Sequence, residues 1–311
     1  MKQTTNSILM IRPVAFRMNE QTAVNNYYQK VLDGLSPETV NAKAQEEFDT
    51  FVQKLKTVGV NVIVVDDTDS PDTPDSIFPN NWISFHENGD VALYPMFAEN
   101  RRAERREEIL DLLEDKGFAI DNIVDYTEAE DDGFFLEGTG SLLLDRANGK
   151  AYCALSPRAD EELMIEFCED FDMGPVIFEA YQTVNGNREL IYHTNVMMCL
   201  GETFAVICAD CIDDKTERKM VLENLKKDGK EIILITEDQV NNFAGNMLEV
   251  RGSDDRRLLI MSTAAHQSLT KDQISKLEKH ATIISSSLDT IEACGGGSAR
   301  CMMAEIFLPK A

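Results

Sequence analysis

Residues 196–235 read VMMCLGETFAVICADCIDDKTERKMVLENLKKDGKEIILI and contain one full set of the elements that decide the fold. Two apolar runs flank Gly201-Glu202, a pair that is typical of the tight turn of a β-hairpin. Lys215–Lys227 then places apolar side chains at helical spacing, with charged residues on the opposite face. The β-rich run Glu231–Ile235 follows. This stretch predicts a unit made of a hairpin, a helix and a strand.

The same unit recurs along the chain at a nearly constant spacing. Helical periodicity begins near residues 40, 101, 158, 215 and 271, at intervals of about 61, 57, 57 and 56 residues, and such regularity is the signature of a repeat architecture. The predicted helices are Val40–Val58, Arg101–Lys116, Arg158–Phe171, Lys215–Lys227 and Lys271–His280. The β-rich runs that follow them are Val60–Val65, Ile120–Val124, Pro175–Phe178, Glu231–Ile235 and Thr282–Ser286.

A single unit of this kind cannot bury its apolar faces alone, so neighbouring units must pack together. We expect five units to close radially, with Met302–Leu308 pairing against Ser7–Ile11, because radial closure protects sheet edges. The prediction is an α/β fold of the five-bladed propeller type, with pseudo-fivefold repetition, in a single domain over residues 1–311. An ordinary open α/β sheet is the alternative arrangement of the same elements.

Composition excludes several functional classes. The chain has 311 residues, of which 43% are hydrophobic, and this is enough to bury a sizeable core. Its formal net charge of −25 argues against a nucleic-acid partner, because binding to a phosphate backbone needs clustered Lys and Arg. We expect a small-molecule ligand as the partner, and the composition leaves a homo-oligomer open.

The sequence shows no sign of secretion or of membrane insertion. Met1–Arg12 lacks a basic segment followed by a long apolar stretch, and apolar runs such as Val60–Val65 are far too short to span a bilayer. The seven cysteines, an odd number, favour reduced thiols. Cys208 and Cys211 form a C-x-x-C without the second pair that a zinc site needs. We therefore expect a cytoplasmic protein without a membrane partner.

The unusual polar segments all fall at one point of the unit, between the strand after the helix and the next hairpin. They are residues 74–82 (PDSIFPNNW), 135–140 (FLEGTG), 192–196 (YHTNV), 243–247 (FAGNM) and 295–301 (GGGSARC). Equivalent positions in a radial repeat face a common axis, so we expect their side chains to converge in one pocket. The converging residues would be Asp75, Asn81, Glu137, His193, Asn246 and Cys301.

Three of these residues supply a nucleophile, an acid–base group and an orienting carboxylate. Cys301 follows three glycines, which permit close approach of the backbone, and adjacent amides could help to hold a tetrahedral intermediate. His193 opens an apolar run, and Glu137 lies in a largely apolar stretch where a carboxylate needs a partner. Taken singly, each has a structural alternative: a buried core cysteine, a hydrogen-bonded histidine and a carboxylate on a surface loop.

Arginines between a hairpin and the next helix are candidates for binding a substrate carboxylate through paired hydrogen bonds. Arg101 and Arg102 follow the first hairpin, and Arg158 follows the second. Arg105 and Arg106 fit a solvated helix face better.

Seven motifs resemble those of the guanidino-group-modifying, or pentein, superfamily, whose fold is a five-bladed α/β propeller. They are PDSIFPNNW (74–82), YPMFAENRRAER (94–105), FLEGTGSLLLDR (135–146), ALSPR (154–158), YHTNVMM (192–198), FAGNMLEV (243–250) and GGGSARCMMAEI (295–306). They are spread over residues 74–306, which is most of the chain. The branch that they resemble most is the arginine-deiminase-related one, which contains citrulline-utilisation hydrolases.

The resemblance implies Cys301 as the nucleophile, His193 as the general acid and base, and Glu137 as the carboxylate partner of the histidine. It implies no metal and no organic cofactor. Arg102 and Arg158 would hold the carboxylate of an amino-acid substrate. The whole set that we predict to bind substrate is Asp75, Asn80, Asn81, Arg101, Arg102, Arg158, Asn195 and Asn246.

Two positions depart from the pattern of enzymes that bind a guanidinium. Asn81 and Asn195 stand where such enzymes often have Asp. A carboxamide suits a neutral urea because it offers both a donor and an acceptor, whereas a carboxylate suits a cation. We therefore predict citrulline as the substrate, hydrolysed to ornithine, ammonia and carbon dioxide through a covalent cysteine adduct. Arginine deiminase, dimethylarginine hydrolase, amidinotransferase and an inactive binding scaffold are the alternatives.

Overall fold

The computed structural model describes residues 1–311 and contains the predicted unit at residues 196–235. Met198–Leu200 pairs antiparallel with Phe204–Ile207, and Leu200 lies opposite Ala205. Phe204–Ile207 then pairs parallel with Glu231–Leu234. A parallel pair needs a long crossover connection, which the helix Lys215–Lys227 provides.

Five three-stranded sheets share this topology, with the first strand antiparallel to the second and the second parallel to the third. Four of them are formed by Ile83–Phe85, Asp90–Leu93 and Asn122–Asp125; by Leu142–Asp145, Lys150–Leu155 and Gly174–Glu179; by Met198–Leu200, Phe204–Ile207 and Glu231–Leu234; and by Leu248–Arg251, Arg257–Ser262 and Thr282–Ser286. No strand is shared between sheets, so the single open sheet that was the alternative does not form.

The fifth sheet joins the two ends of the chain. Ser7–Arg12 pairs parallel with Asn61–Asp66 and antiparallel with Ala304–Glu305, and Ile8 lies opposite Glu305. The expected pairing of the C-terminal run with the N-terminal strand is confirmed, although the C-terminal strand has only two residues.

One hairpin was not predicted. Tyr181–Val184 pairs with Asn187–Leu190 across Asn185-Gly186, where both residues have positive φ, 50° and 84°. Asn-Gly with positive φ at both positions is the preferred two-residue turn of a β-hairpin, so the signal was present in the sequence.

The helices are mostly short, and several precede the strands of a hairpin. The α-helices are Pro37–Thr57, Glu99–Arg102, Glu108–Asp115, Gly138–Ser141, Glu161–Asp170, Thr194–Met197, Lys215–Lys227, Glu237–Val240, Thr263–Ser268, Lys271–Leu277 and Asp289–Gly295. The 3₁₀ helices are Pro79–Asn81, Thr127–Asp132, Arg146–Asn148 and Ala209–Cys211. None of the helices combines the length and the apolar character that crossing a bilayer requires.

Four of the five predicted helices have different bounds. The helix predicted over Val40–Val58 is Pro37–Thr57, and the one predicted over Lys271–His280 ends at Leu277. The predicted helix over residues 101–116 is wrong as a single element, because it is broken between Arg102 and Glu108. Arg101 and Glu104 turn inward to pair with each other, so the apolar periodicity holds only from Glu108 onward. The helix predicted from Arg158 begins instead at Glu161, after the N-cap Asp160.

The apolar core lies between the helices and the sheets and joins neighbouring units. Phe48, Phe51 and Leu55 on helix Pro37–Thr57 are fully buried. They belong to one apolar cluster with Leu258 and Ile260, which lie in the sheet of the preceding unit along the repeat. Each unit thus buries its apolar face against another, as the repeat predicts.

Residues 13–36, here called the covering segment, connect the strand Ser7–Arg12 to helix Pro37–Thr57 without regular secondary structure. Long irregular connections in compact domains are usually functional. Asn19, Thr22 and Asn25 of this segment form hydrogen bonds with Asp75 and Arg158. The covering segment therefore forms one wall of the polar cluster described next.

Candidate active site

Glu137 and His193 form a buried contact at the centre of this cluster. Glu137 stands directly before the short helix Gly138–Ser141, and its backbone N–H donates to the carbonyl of Arg158 at 3.0 Å. Its Oε2 lies 2.7 Å from His193 Nε2, and its Oε1 accepts from the backbone N–H of Phe97 at 3.0 Å. Both carboxylate oxygens thus have fixed partners, and the side chain is fully buried.

Glu137 remains ionised in this environment. Burial alone would raise the pKa of Glu137, but the charge of Arg158, the hydrogen bond and charge of His193 and the charge of Arg101 outweigh burial and hold that pKa well below its ordinary value. Arg158 Nη1 lies 3.5 Å and Arg101 Nη1 3.9 Å from Glu137 Oε2. An ionised carboxylate can only accept, so His193 Nε2 donates in their hydrogen bond.

His193 is neutral in this position. Burial lowers the pKa of His193 to about 4, although the hydrogen bond and the charge of Glu137 act in the opposite direction. Because Nε2 carries the hydrogen, Nδ1 is the basic nitrogen. A Cβ at residue 140 would lie 2.7 Å from His193 Nδ1 and 2.5 Å from Asn81 Nδ2, so only glycine fits beside the ring. A neutral imidazole with an unprotonated nitrogen can accept a proton and return it.

Cys301 lies at the end of the glycine-rich turn, and two carboxamides face its sulfur. Asn246 Nδ2 is 3.2 Å and Asn195 Nδ2 is 3.5 Å from Cys301 Sγ. The side chain is almost completely buried. Both carboxamides thus present an N–H donor to the sulfur, and Cys301 Sγ also lies 3.7 Å from Asn195 Oδ1.

The turn before Cys301 is held by contacts on several sides. Asn246 Oδ1 accepts from the backbone N–H of Arg300 at 3.0 Å, and Tyr192 Oη donates to the carbonyl of Gly296 at 2.6 Å. Gly296 has φ of 63°, and a Cβ there would lie 2.5 Å from Asn26 Oδ1 of the covering segment. Glycine is therefore required at residue 296 both by the backbone conformation and by the close approach of the segment.

Asp75 is a buried carboxylate with one free oxygen. Its Oδ2 accepts from Asn19 Nδ2 at 2.8 Å and from Thr22 Oγ1 at 3.1 Å, whereas Oδ1 has no hydrogen-bond partner. Arg101 Nε lies 4.0 Å from Oδ2. Burial raises the pKa of Asp75, and Arg101 and the two hydrogen bonds oppose this only in part. A buried acceptor without a partner is costly, so a ligand with N–H donors would be favoured here.

Arg101 is fully buried and is occupied by protein groups. Its Nε and Nη2 donate to Glu104 at 2.8 and 3.0 Å, and its Nη1 donates to Asn81 Oδ1 at 2.9 Å. Asn81 Nδ2 in turn donates to Asn80 Oδ1 at 3.2 Å. Arg101 therefore orients the carboxamides of the 79–81 turn.

Glu104 was not among the residues predicted from the sequence. It is 4% exposed, and burial raises its pKa to about 7 despite the opposing charge and hydrogen bonds of Arg101. The available signal was its position three residues after Arg101, which is the spacing of a helical ion pair.

Arg158 and Arg102 lie in different surroundings. Arg158 donates to the carbonyl of Thr22 at 2.9 Å and to Asn25 Oδ1, and its guanidinium lies 4.8 Å from the ring centre of Tyr192. Arg102 lies outside this network: its Nε donates to the carbonyl of Met96 at 3.1 Å. Its side chain is 29% exposed and lies 3.5 Å from Glu130.

Thr139 connects the charged part of the cluster with the sulfur. Its Oγ1 accepts from Asn80 Nδ2 at 3.3 Å, and its carbonyl accepts from Asn195 Nδ2 at 3.4 Å. Asn246 Nδ2 completes this series of hydrogen bonds by donating to the carbonyl of Asn195 at 3.0 Å. All the predicted site residues except Arg102 thus belong to one continuous set of polar contacts.

Several members of this set were missed by the sequence reasoning. They are Asn19, Thr22, Asn25, Glu104 and Thr139. The first three lie in the covering segment, which has neither periodicity nor a motif that points to chemistry. The chain contains no group of three or more His, Cys, Asp or Glu side chains arranged to hold a metal ion.

Comparison with known families and structures gives a consistent result. The model of the family described as N,N dimethylarginine dimethylhydrolase, eukaryotic, matches residues 12–308. No curated protein matched the chain in sequence.

Solved structures of similar fold include an arginine dihydrolase. The apo structure of ArgZ, an arginine dihydrolase from the ornithine–ammonia cycle in cyanobacteria, has a TM-score of 0.73 at 18% identity, covering 98% of this chain and 41% of ArgZ. This chain therefore spans about two-fifths of that protein. A mutant of the N-terminal domain of ArgZ, bound to substrate, has a TM-score of 0.69 at 19% identity, covering 97% of this chain and 99% of the domain.

A mutant of dimethylarginine dimethylaminohydrolase, in an adduct with S-methyl-L-thiocitrulline, also has a similar fold. The TM-score is 0.63 at 14% identity, covering 97% of this chain and 100% of the other. At these identities the likeness concerns the α/β fold.

Proposed function

Because the chain belongs to the N,N-dimethylarginine dimethylhydrolase family, within the pentein superfamily of guanidino-modifying hydrolases, we propose that it is a cysteine-dependent hydrolase of an arginine-related amino acid. The observation that carries this proposal is the unpartnered Oδ1 of the buried Asp75. It lies in one network with the His193–Glu137 pair and with Cys301. Guanidino and ureido groups both present the N–H donors that this oxygen lacks.

In the proposed first step, Cys301 Sγ adds to the terminal carbon of the substrate head. His193 Nδ1 takes the thiol proton, and the carboxamides of Asn195 and Asn246 donate to the sulfur. The carbon–nitrogen bond to the terminal nitrogen then breaks, and His193 returns the proton to the leaving ammonia. Glu137 holds the imidazole and stabilises its charged form.

In the second step, His193 activates a water molecule that hydrolyses the covalent adduct and frees Cys301. With citrulline, the adduct is a thiocarbamate. Its hydrolysis gives a carbamate that loses carbon dioxide and leaves ornithine. With arginine, the same two steps give citrulline and ammonia.

We propose citrulline as the preferred substrate. The two positions where related enzymes often have Asp are carboxamides, and both lie within the network: Asn81 beside Arg101, and Asn195 beside the sulfur. An additional carboxylate at either place would favour a cationic head, and its absence favours a neutral one.

Arginine is the second candidate, on a separate observation. Asp75 has an oxygen free to accept a charged N–H donor, and charge-assisted hydrogen bonds are the stronger ones. The similarity to an arginine dihydrolase points in the same direction.

The proposal includes a binding place for the amino-acid end of the substrate. Arg158 and Arg102 are the proposed partners of its carboxylate. Arg158 is held by Thr22 and Asn25 of the covering segment. The cluster is buried, so we propose that this segment lifts to admit substrate.

We also propose that the five sheets surround one axis, as in a five-bladed propeller within a single domain. Contacts between sheets support this arrangement: Ala304–Glu305 touches Ile83–Phe85, and Met198–Leu200 touches both Leu142–Asp145 and Leu248–Arg251. All five units contribute side chains to the polar cluster: Asp75, Glu137, His193, Asn246 and Cys301 each precede a different sheet.

An assay of the purified protein on citrulline and on arginine tests the proposed function. Ammonia and ornithine are measured for each substrate, and we expect release of both products from citrulline with the higher kcat/KM. If neither amino acid releases ammonia, the proposed function is wrong. If arginine has the higher kcat/KM, the substrate preference is reversed and the second candidate replaces the first.

A further inference from the structure

The C-x-x-C formed by Cys208 and Cys211 takes no part in the site described above, yet its two sulfurs touch. Cys208 directly follows the strand Phe204–Ile207, and the 3₁₀ helix Ala209–Cys211 brings the second cysteine back over the first. Cys211 Sγ donates to Cys208 Sγ at 2.9 Å. No other pair among the seven cysteines has its sulfurs within hydrogen-bond distance.

We propose that Cys208 and Cys211 form a reversible intramolecular disulfide, which makes this turn a thiol-modification site separate from Cys301. The sulfurs must approach from 2.9 Å to about 2.05 Å, the length of a disulfide bond, and residues three apart in one turn need only a small backbone movement for this.

The chemistry needs an external oxidant, for which a small-molecule disulfide suffices. The Cys208 thiolate attacks one sulfur of that disulfide, forms a mixed disulfide and releases one thiolate. Cys211 then loses its proton and attacks Cys208 Sγ, which releases the second thiol. Two protein thiols become one disulfide, and one small disulfide becomes two thiols.

The hydrogen bond between the two sulfurs indicates which cysteine reacts first. The hydrogen bond from Cys211 lowers the pKa of Cys208, whereas it raises the pKa of Cys211. Cys208 is therefore the attacking thiol and Cys211 the resolving one.

Tyr28 of the covering segment lies near this pair. Burial, Tyr192 and then the two cysteines raise the pKa of Tyr28, and its ring centre is 5.7 Å from that of Phe243 and 6.3 Å from that of Tyr192. We therefore assign Tyr28 the role of shielding the pair. Both cysteines are buried in the closed structure. An oxidant therefore reaches them when the covering segment, and Tyr28 with it, moves away.

The test uses the full-length protein without substrate. The protein is incubated with bis(2-hydroxyethyl) disulfide, the remaining thiols are alkylated under denaturing conditions, and tryptic peptides are analysed by mass spectrometry. Peptide Glu189–Lys215 contains Cys199, Cys208 and Cys211, so Cys199 is an internal control. Cys301 is in a different peptide, Cys301–Lys310.

We expect this peptide to lose two hydrogens and to keep one alkylated cysteine, Cys199, and we expect dithiothreitol to reverse the change. Cys211→Ser should instead stop at a mixed disulfide on Cys208. If Cys208 and Cys211 are alkylated as completely as Cys199, or if Cys199 forms the disulfide, the proposal is wrong. The test measures the state of each cysteine directly, so its outcome is independent of the proposed hydrolase activity.

A second variant tests the shielding. Tyr28→Ala should accelerate disulfide formation several-fold, whereas Tyr27→Ala should not, because Tyr27 is already 39% exposed. Far-UV circular dichroism of both variants checks the fold. Equal rates in Tyr28→Ala and the wild type would overturn the shielding role of Tyr28.

Discussion

The two parts of the polar cluster bury their groups in different ways. Around Glu137, each charge faces an opposite charge: Arg101 and Arg158 both lie within 4 Å of its carboxylate. Around Cys301, the groups are neutral carboxamides, Asn195 and Asn246. The first part is a network of charges that balance one another, and the second is a set of dipoles aimed at one atom.

This difference indicates what substitutions in each part should do. Removing one member of a buried ion network leaves the other charge without a partner, which is strongly destabilising. Removing a carboxamide that faces the sulfur leaves no uncompensated charge. Substitutions around Glu137 should therefore change both stability and activity, whereas substitutions around Cys301 should mainly change activity.

Apart from Cys301 itself, the largest effect is expected at His193. His193→Ala removes the group that we propose to move protons, so kcat should fall by about 10²–10⁴-fold. Glu137→Gln should lower both kcat and Tm, because Arg101 and Arg158 lose the anion between them. Steady-state kinetics and thermal melts measure both quantities. His266→Ala, outside the cluster, is the control, and a His193→Ala enzyme within tenfold of wild type would contradict the proton-transfer role.

A smaller effect is expected at Asn246, where two variants separate its contact with the sulfur from its contact with the Arg300 N–H. Asn246→Ala removes the donor to the sulfur, and a hydrogen bond to a charged group contributes about 1.5–3 kcal/mol, so kcat/KM should fall roughly 10–100-fold. Asn246→Asp keeps an acceptor for the Arg300 N–H but places an anion beside the thiolate, so its loss should be larger. The Tm of both Asn246 variants should stay close to that of the wild type. Asn242→Ala is the control variant. If Asn246→Asp is the more active of the two, the sulfur is not a thiolate in the reaction.

The next prediction concerns substrate preference. The double change Asn81→Asp with Asn195→Asp adds two carboxylates, so the ratio of kcat/KM for arginine to that for citrulline should rise, by roughly tens-fold if each contributes one charged hydrogen bond. Asn81→Asp should also offset the positive charge of Arg101 Nη1, which lies 2.9 Å from Asn81 Oδ1, and Asn195→Asp should add its charge beside the sulfur. An unchanged ratio in the double variant would mean that these positions do not determine the charge of the substrate head.

The smallest predicted effect concerns how kcat/KM changes at acidic pH. His193 must be unprotonated to accept a proton, and its pKa is about 4, below the ordinary histidine value of 6.5. kcat/KM of the wild type should therefore stay constant as pH falls through 6.5 and decline only towards pH 4. Circular dichroism over the same range separates this decline from acid unfolding. A decline centred at the ordinary value would mean that His193 is more solvated than the structure shows.

Much of the fold was predictable from the sequence because its information is local and repeated. The unit at residues 196–235 has the predicted hairpin, helix and parallel strand. The helix predicted over residues 101–116 failed because Arg101 serves the polar cluster. Its contacts with Asn81, Asp75 and Glu137 outweighed the local periodicity.

The candidate site was predictable only where a motif marked it. Asp75, Glu137, His193 and Cys301 stand beside glycines, prolines or apolar runs that made them conspicuous. The covering segment has no such signal: Thr22 and Arg158 are 136 residues apart, and only the folded chain brings them together. The pairing of Arg101 with protein groups could likewise not be predicted, because a sequence does not show which partners an arginine has in the folded chain.

The central claim is that Cys301 is the nucleophile, and the turnover number of Cys301→Ala on citrulline and on arginine tests it most directly. The account predicts no detectable ammonia from either substrate, with the Tm close to that of wild type. Cys294→Ala, a buried cysteine in the helix just before the same turn, should keep most of the activity. Turnover by Cys301→Ala within about tenfold of wild type would contradict the account, because loss of a nucleophile removes the covalent route entirely.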